Sequence, residues 1–119
     1  VMSCLIDLKD HYSYFDRNIS CYNFLRFSDW TWRLLNSSLH FQNRLRYPDY
    51  LTLVKQTRFD VVEQHLTRPT ATDIETLNSL RLAKRFKGNY SIEDLGVKTL
   101  WIVLRKRSEP FRCGNKVTL

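Results

Sequence analysis

Three stretches of the chain carry the hydrophobic patterns of β-strands. Residues 1–8 are short and apolar on both faces, residues 59–66 alternate loosely and carry charge, and residues 97–105 show the strongest strand pattern. Because residues 100–104 are apolar on both faces, we expect the third strand to be central and covered on each side. The charges within 59–66 are typical of an edge strand.

Two helices are predicted in the middle of the chain. Ser28 suits an N-cap because its hydroxyl can accept from the first free amides of a helix, which would end at residues 36–38. Pro48 suits the first turn of a second helix, where its missing N–H costs nothing. That helix has one apolar face, made of Tyr50, Leu51, Leu53 and Val54.

A third helix is predicted from a capping box, in which Glu75 follows Thr72 by three residues. Gly and Asn at 88–89 would end this helix. Ser91 and Asp94 are predicted to cap one short turn before the last strand. The apolar stripe of the third helix has a three-residue spacing and consists of Ile74, Leu77, Leu80 and Ala83.

The predicted elements follow the order strand, helix, helix, strand, helix, strand. This order predicts an α/β fold, α+β by content, with a small mixed sheet of about three strands and about three helices against it. Residues 9–24 show no steady periodicity and are predicted as a long loop or short helical turns. We expect one domain over residues 1–106 and a basic, polar tail over residues 107–119.

The composition adds a basic charge without naming a function. The chain has 119 residues and a net charge of +7, which fits one globular domain. The excess is concentrated in residues 81–87 and 105–107, which we interpret as a solvated helix end and a basic strand end. No DNA- or RNA-binding signature accompanies them, so nucleic-acid binding rests on charge alone and is the least favoured function.

The sequence shows neither a membrane span nor a secretory signal. No apolar run approaches the roughly 20 residues that a span needs, and the first residues turn acidic too soon for a signal. The cysteines, Cys4, Cys21 and Cys113, are far apart and form no CxxC pair. An odd count without a disulfide framework predicts the cytoplasm. Cys4 is predicted as a buried thiol and Cys113 as an exposed one.

Several stretches together resemble one protein family in their order and spacing. They are residues 6–11 (IDLKDH), 23–29 (NFLRFSD), 39–50 (LHFQNRLRYPDY), 58–62 (RFDVV) and 93–103, where EDL runs into LWIV. This series resembles the C-terminal half of class I S-adenosylmethionine-dependent methyltransferases. The resemblance covers about residues 3–106, nearly the whole chain.

The resemblance implies a definite sheet order. In that fold the sheet is parallel except for the last strand, which inserts antiparallel between the fifth and sixth strands. Residues 1–8 resemble the fifth strand, 58–66 the sixth and 97–105 the seventh, which implies the order 1-3-2 with the last strand central. Arg58 stands where the family usually has a Gly that caps the preceding helix, so this turn is expected to be strained or differently closed.

The resemblance also implies what this chain would lack. The family's cofactor lies on a Gly-rich loop over the first strand, with an acidic residue ending the second strand. The glycines here, Gly88, Gly96 and Gly114, form no such loop, and the first four strands have no counterpart. We therefore expect that this chain alone binds no cofactor, although the resembled family uses S-adenosylmethionine.

Five residues are candidates for a substrate pocket, since the resemblance places them near the carboxyl end of the fifth strand. His11 is the candidate for a catalytic base, and no other catalytic residue is predicted. Alternatively, Asp7 and His11 brace the loop after the strand, and Arg44 pairs with a carboxylate. The five residues are Asp7, Asp10, His11, Asn43 and Arg44.

No metal site is predicted, because His11, His40 and His65 lack ligand spacing with one another or with the cysteines. Aromatic residues, by contrast, are dense between positions 12 and 32. They could line a substrate pocket, but such density is more often core, which we favour. The aromatic set comprises Tyr12, Tyr14, Phe15, Tyr22, Phe24, Phe27, Trp30 and Trp32.

The first strand is expected to have an open edge, since the strands that would pair with it have no counterpart. We expect this edge to bind a second copy of the chain, giving a homodimer, or a complementary protein chain. The predicted function is a non-catalytic binding or assembly module. The alternative is a fragment or subunit of an S-adenosylmethionine-dependent methyltransferase whose cofactor half is supplied by a partner chain. The apolar side chains along the edge are Val1, Met2, Leu5 and Ile6.

Overall fold

A three-stranded sheet forms the centre of the molecule. The computed structural model describes residues 1–36, 38 and 41–108. The sheet order is β1-β3-β2, so the predicted order with the last strand in the centre is confirmed. The strands are β1 (Met2–Asp7), β2 (Phe59–Thr67) and β3 (Thr99–Lys106).

Both pairings in the sheet are antiparallel. β1 pairs with β3 from Met2 opposite Leu104 to Asp7 opposite Thr99. β2 pairs with the other side of β3, also antiparallel, with a register shift between Val61 and Glu63. The prediction of a mixed sheet is therefore wrong, because β3 separates the two strands that run in the same direction. The fold is an α+β arrangement.

Four α-helices lie in the described part of the chain, against about three predicted. The additional one arises because the short turn after Ser91 closes as a helix. Within the same residues, no helix has the length and apolar character needed to cross a membrane. The helices are α1 (Asp29–Leu35), α2 (Tyr47–Lys55), α3 (Ala71–Ser79) and α4 (Ile92–Leu95). Short 3₁₀ turns cover His11–Tyr14, Asn23–Arg26 and Lys84–Phe86, two of them in or near the predicted loop.

Three predicted helix starts are confirmed. Ser28 Oγ accepts from the Thr31 N–H at 3.2 Å and so satisfies a free amide at the start of α1. Pro48 lies in the first turn of α2. Ser91 Oγ accepts from the Asp94 N–H at 3.2 Å and caps α4. These starts were predictable because each cap and its partner are close in sequence.

The predicted start of α3 is wrong by two residues. The capping box is formed by Thr70 and Asp73 instead of Thr72 and Glu75. The Asp73 N–H donates to Thr70 Oγ1 at 3.2 Å, and the Thr70 N–H donates to the Asp73 carboxylate at 2.8 Å. Both pairs have the spacing of a capping box, and the helix begins at the earlier one, directly after Pro69.

The predicted end of α3 is also wrong, because the helix ends at Ser79 and not near Gly88. The chain then extends so that the Ala83 N–H donates to the Leu25 carbonyl at 2.9 Å, which brings Phe86 into the core. Long-range burial therefore overrides the three-residue stripe. The basic residues at 81–87 lie in this loop and its 3₁₀ turn, not at a helix end.

Among the described residues, helices cover only one face of the sheet, which differs from the expectation that β3 is covered on both faces. Leu100, Ile102 and Leu104 are buried on the face that α2 covers. On the other face Trp101 is half-buried, and its Nε1–H donates to Ser3 Oγ at 2.7 Å. The His65 ring stacks on Trp101 with centroids 5.0 Å apart. Neighbouring strands, rather than helices, thus shield the indole.

The buried side chains form two clusters, one on the sheet and one among the loops. Cys4 packs against the sheet cluster but is only half-buried, which corrects the prediction of a buried thiol. The sheet cluster comprises Leu8, Val97, Leu100, Ile102 and Leu104. The loop cluster comprises Tyr22, Phe24, Leu25, Leu77, Ala83, Phe86 and Leu95.

The turn between α2 and β2 closes through a side chain. Thr57 Oγ1 donates to the Val54 carbonyl at 2.6 Å and accepts from the Phe59 N–H at 3.1 Å. The Thr57 side chain thus closes the turn before β2, and Arg58 stands directly before the strand. At the start of the predicted tail, Arg107 lies against β2, 3.0 Å from Asp60. Cys113, Gly114 and His40 lie outside the described residues.

Candidate functional site

The segment at 41–46 buries polar side chains and exposes an apolar one. It is extended, and Gln42, Arg44 and Arg46 are buried while Phe41 is 72% exposed and Asn43 is exposed. Alternation along an extended chain ordinarily turns apolar side chains inward. Here it turns inward two guanidinium groups and an amide, so each of them needs hydrogen-bond partners inside the protein.

Arg46 finds its partners among backbone carbonyls. Its Nη1–H donates to the Leu8 carbonyl at 2.8 Å, and Nη2–H donates to the Leu95 and Val97 carbonyls at 3.0 and 3.2 Å. The guanidinium also lies over the Phe24 ring, 5.7 Å from its centroid. Burial lowers the pKa of Arg46 to about 10, which leaves it charged at neutral pH. Arg46 therefore joins the sheet cluster to the loop cluster.

Arg44 has a different set of partners. Its Nη1–H donates to the Phe24 carbonyl at 3.0 Å, and Nη2–H donates to Asp29 Oδ1 at 2.8 Å. The guanidinium lies between the Trp32 and Phe86 rings, 5.3 and 5.1 Å from their centroids. Burial lowers the pKa of Arg44, and the nearby charge of Arg85 lowers it further. Arg44 thus pairs with a carboxylate, as one of the two interpretations of the sequence had it.

An open cleft of about 440 Å³ lies beside Arg44, between α1 and residues 41–45. We call it the α1 cleft. Arg85 enters it from the 3₁₀ turn at 84–86 and donates to Asp29 Oδ1 at 2.9 Å. The hydrogen bond from Arg85, more than that from Arg44, holds the pKa of Asp29 below its usual value. The cleft is lined by Asp29, Trp32, Arg33, Asn36, Phe41, Gln42, Asn43, Arg44, Leu45 and Arg85.

Asp7 and His11 come together on the surface after β1. His11 Nε2 lies 3.6 Å from Asp7 Oδ2, which also accepts from the Tyr14 hydroxyl at 2.6 Å. Asp7 Oδ1 accepts from the Lys9 N–H at 3.0 Å. Burial, and then the bond to Asp7, raise the pKa of Tyr14. The carboxylate therefore organises the loop after β1 and lies beside the imidazole at the same time.

Asp10 differs from this pair in its burial, because it is only 2% exposed. Its carboxylate accepts from the Tyr12 N–H at 3.0 Å and caps the first 3₁₀ turn. Burial raises its pKa, although the surrounding N–H groups act in the opposite direction. Its contacts are those of a buried cap for the loop.

Gln42 connects the loop after β1 to the α1 cleft. Its Oε1 accepts from the His11 N–H at 2.9 Å, and its backbone exchanges two hydrogen bonds with the Asn36 amide at 2.7 and 2.9 Å. Asn43 turns to the local backbone, where its Oδ1 accepts from the Leu45 N–H at 2.9 Å. Of the five predicted residues, Asp7 and His11 thus lie together, Arg44 lies apart at the α1 cleft, and Asp10 and Asn43 bond to local backbone.

Sequence reasoning missed Gln42, Arg46 and Asp29, which hold the site in place. Asp29 and Arg46 lie at the starts of α1 and α2, but a local cap does not predict distant side-chain partners. The available signal was the alternation of polar residues at 42, 44 and 46. The aromatic set was also divided by the structure. Tyr22 and Phe24 are core residues as expected, and the core prediction is wrong for the four that are more than 40% exposed: Tyr12, Tyr14, Phe15 and Trp30.

The two glycines within the described residues have local structural roles. Gly96 is held against Pro69, since a Cβ there would lie 2.8 Å from the proline ring. Gly88 has a φ of +78° and makes a turn in the loop after Phe86. Neither of these two glycines lies in a Gly-rich loop. In the described ranges, no three His, Cys, Asp or Glu side chains lie close enough to hold a metal ion.

Comparison with known proteins returns no relative. No family model, no curated protein and no solved structure matches this chain. What the protein does must therefore follow from its own geometry.

Proposed function

We propose that this chain is a non-catalytic assembly module that binds a second copy of itself through the outer edge of β1, which pairs with no other strand in the described part of the chain. The observation that carries the proposal is the contrast between the two edges of the sheet. We also propose kinship with the C-terminal half of S-adenosylmethionine-dependent methyltransferases, which the strand order β1-β3-β2 with an antiparallel central strand supports.

The edge at β2 is protected against pairing. It carries the charged residues Asp60 and Glu63, and its register shifts between Val61 and Glu63. Charges and bulges of this kind prevent a strand from adding to an edge. β2 is therefore unsuited to strand addition.

The edge at β1 lacks these protections. Residues 1–6 carry no charged side chain and no proline, and Leu5 is 75% exposed while Val1 is 94% exposed. β1 pairs with β3 over all six of its residues, without a register shift, so its outer edge is straight. A straight, uncharged, apolar edge is the kind to which a further strand adds.

A second copy of β1 fits this edge by two-fold symmetry. In an antiparallel pair centred on Cys4, Met2 lies opposite Ile6 and Ser3 opposite Leu5. The only charge of the strand, Asp7, lies opposite Val1, so like charges do not meet. Two-fold pairing of identical surfaces is the commonest closed assembly. The product is a continuous sheet of six strands.

The net charge makes a prediction about salt. Two copies that each carry +7 repel one another at low ionic strength, and added salt screens that repulsion. Backbone hydrogen bonds and apolar contacts along the edge do not depend on the screened charge. We therefore expect the dimer to become more stable as NaCl rises from about 20 to 200 mM. Over this range the Debye length falls from roughly three times its physiological value to about that value.

The test replaces one exposed apolar residue on each edge by lysine. In Leu5→Lys the new charges of the two copies lie diagonally across the β1 pair, about 7–8 Å apart, which disfavours pairing. Val62→Lys places the same charge on β2, where Val62 is 45% exposed. Both residues are exposed, so neither change is expected to unfold the monomer. Light scattering at micromolar concentration should find a dimer for the wild type and Val62→Lys, and a monomer for Leu5→Lys.

Two results would overturn the proposal. One is a wild-type chain that stays monomeric at micromolar concentration, which would favour a complementary chain as the occupant of the edge. The other is an equal loss of dimer in both lysine variants, which would move the interface away from β1. Calorimetric titration with S-adenosylmethionine tests the enzymatic alternative, because micromolar binding by this chain alone contradicts a module without a cofactor site.

A further inference from the structure

The α1 cleft contains more positive charge than its own acceptors neutralise. Three guanidinium groups line it, those of Arg33, Arg44 and Arg85, against the single carboxylate of Asp29. Arg44 and Arg85 both bond to the same oxygen, Asp29 Oδ1, at 2.8 and 2.9 Å. Arg33 is exposed and makes no ion pair with a described residue. The local charge is therefore close to +2.

Two further donors in the cleft wall have no acceptor. The Trp32 Nε1–H and the Gln42 Nε2–H are buried and make no hydrogen bond within the described chain. Gln42 is only 6% exposed, and its Oε1 and its backbone are both held by other bonds. Buried donors without partners are costly and uncommon. A third such donor, Arg46 Nε, does not line the cleft, so the case for a ligand rests mainly on the charge of the arginines and the size of the cleft.

We propose that the α1 cleft binds a small organic phosphate. Arg33 and Arg85 bind the phosphate oxygens at the rim, beside the wall to which Gln42 and Trp32 contribute. A phosphate dianion matches the local charge of +2 and offers oxygens for several donors at once. This binding surface is separate from the edge of β1 and does not depend on dimer formation.

The cleft is larger than inorganic phosphate alone would fill. Its volume of about 440 Å³ lies within the range of small-molecule sites, about 300–1,000 Å³. Phe41 and Leu45 add apolar surface beside the arginines, and Phe41 is 72% exposed. A ring or sugar attached to the phosphate would cover this surface. Adenosine monophosphate is therefore the first probe, and ribose 5-phosphate and inorganic phosphate show which part of it is recognised.

The experiment combines calorimetry with the nuclear magnetic resonance of two side chains. The full-length chain is titrated with adenosine monophosphate at 50 mM NaCl. We expect one site per chain and a shift of the Trp32 indole N–H and Gln42 amide resonances on binding. Inorganic phosphate should bind at least about tenfold more weakly than adenosine monophosphate, since it leaves the apolar surface of the cleft exposed.

The variants separate a built site from diffuse charge. Arg33→Ala should weaken binding at least about tenfold, because a hydrogen bond to a charged group is lost. Arg81→Ala removes the same charge from an exposed position outside the cleft and should leave affinity unchanged. Equal weakening in both variants, or binding that leaves the Trp32 and Gln42 resonances unmoved, would overturn the proposal. Absence of binding by all three probes would overturn it as well.

Discussion

Two arginines that are two positions apart occupy different regions of the molecule. Arg46 is 0% exposed and donates to three backbone carbonyls in the closed interior. Arg44 is 4% exposed, but its carboxylate partner, Asp29, has a side chain that is 61% exposed on the cleft. Burial alone therefore does not tell which arginine holds the fold together and which belongs to a binding surface. What separates them is that the guanidinium of Arg46 bonds to backbone carbonyls only, whereas that of Arg44 bonds to the Phe24 and Phe27 carbonyls and also to a carboxylate.

The difference has a physical basis. Backbone carbonyls cannot move or titrate without disrupting the fold, so the contacts of Arg46 are permanent features of it. The carboxylate that faces Arg44 is shared with Arg85 and reaches solvent, so its charge responds to acid, salt and ligands. The interior around Arg46 and the α1 cleft should thus respond to different perturbations.

The largest expected effect is on the interior. Arg46→Met leaves three buried carbonyls without donors, and each such group costs about 1–3 kcal/mol. We expect the free energy of unfolding, measured by urea at one fixed protein concentration, to fall by at least about 3 kcal/mol. Arg81→Met, at an exposed position, should change it by less than about 0.5 kcal/mol. A similar small change in Arg46→Met would contradict the structural role assigned to it.

A smaller loss is expected from Arg44→Met. The variant gives up the bonds to the Phe24 and Phe27 carbonyls and to Asp29. It also removes a partly desolvated charge, and a methionine packs well between Trp32 and Phe86. We expect the free energy of unfolding to fall by about 1–2 kcal/mol in the same urea assay. A loss as large as that of Arg46→Met would erase the distinction between the two regions.

The smallest effect is a dependence on pH that belongs to the cleft alone. The hydrogen bond from Arg85 lowers the pKa of Asp29 in the folded protein. The ionised Asp29 carboxylate therefore stabilises the fold at pH values above its ordinary pKa of 3.8. This stabilisation is lost as the pH falls below that value and through the lowered pKa. The difference in free energy of unfolding between wild type and Asp29→Asn should therefore be constant from about pH 7 to 5 and shrink towards pH 2. The linkage between the pKa and stability spreads this decrease over roughly two pH units.

The corresponding control is Arg46→Met over the same range. The partners of Arg46 are carbonyls, which do not titrate, so its difference from wild type should not follow that acid transition. A difference for Asp29→Asn that grows as the pH falls would contradict the assigned ion pairs.

Much of the fold was predictable because it depends on neighbours in the sequence. The caps at Ser28 and Ser91 and the place of Pro48 involve residues no more than four positions apart. The strands of the sheet were visible as hydrophobic runs, and the charges in β2 indicated an edge. The end of α3 was not predictable, since it depends on the bond from Ala83 to Leu25, 58 positions away.

The site was predictable only in part. Asp7 and His11 were expected together and lie 3.6 Å apart. Arg44 was expected either in a pocket with them or paired with a carboxylate, and it pairs with Asp29, a partner that the sequence did not identify. The hydrophobic pattern could not predict this, because residues 41–46 turn polar side chains inward against the usual rule.

The sequence by itself determined the strands, the helix starts and the contrast between a charged edge and an apolar one. Local hydrogen bonds and periodicity are properties of adjacent residues, so they can be inferred without the fold. Only the tertiary structure decided the roles of Arg44 and Arg46. The carbonyls that receive Arg46 are 38, 49 and 51 positions away, and they become acceptors only when β1, α4 and β3 meet.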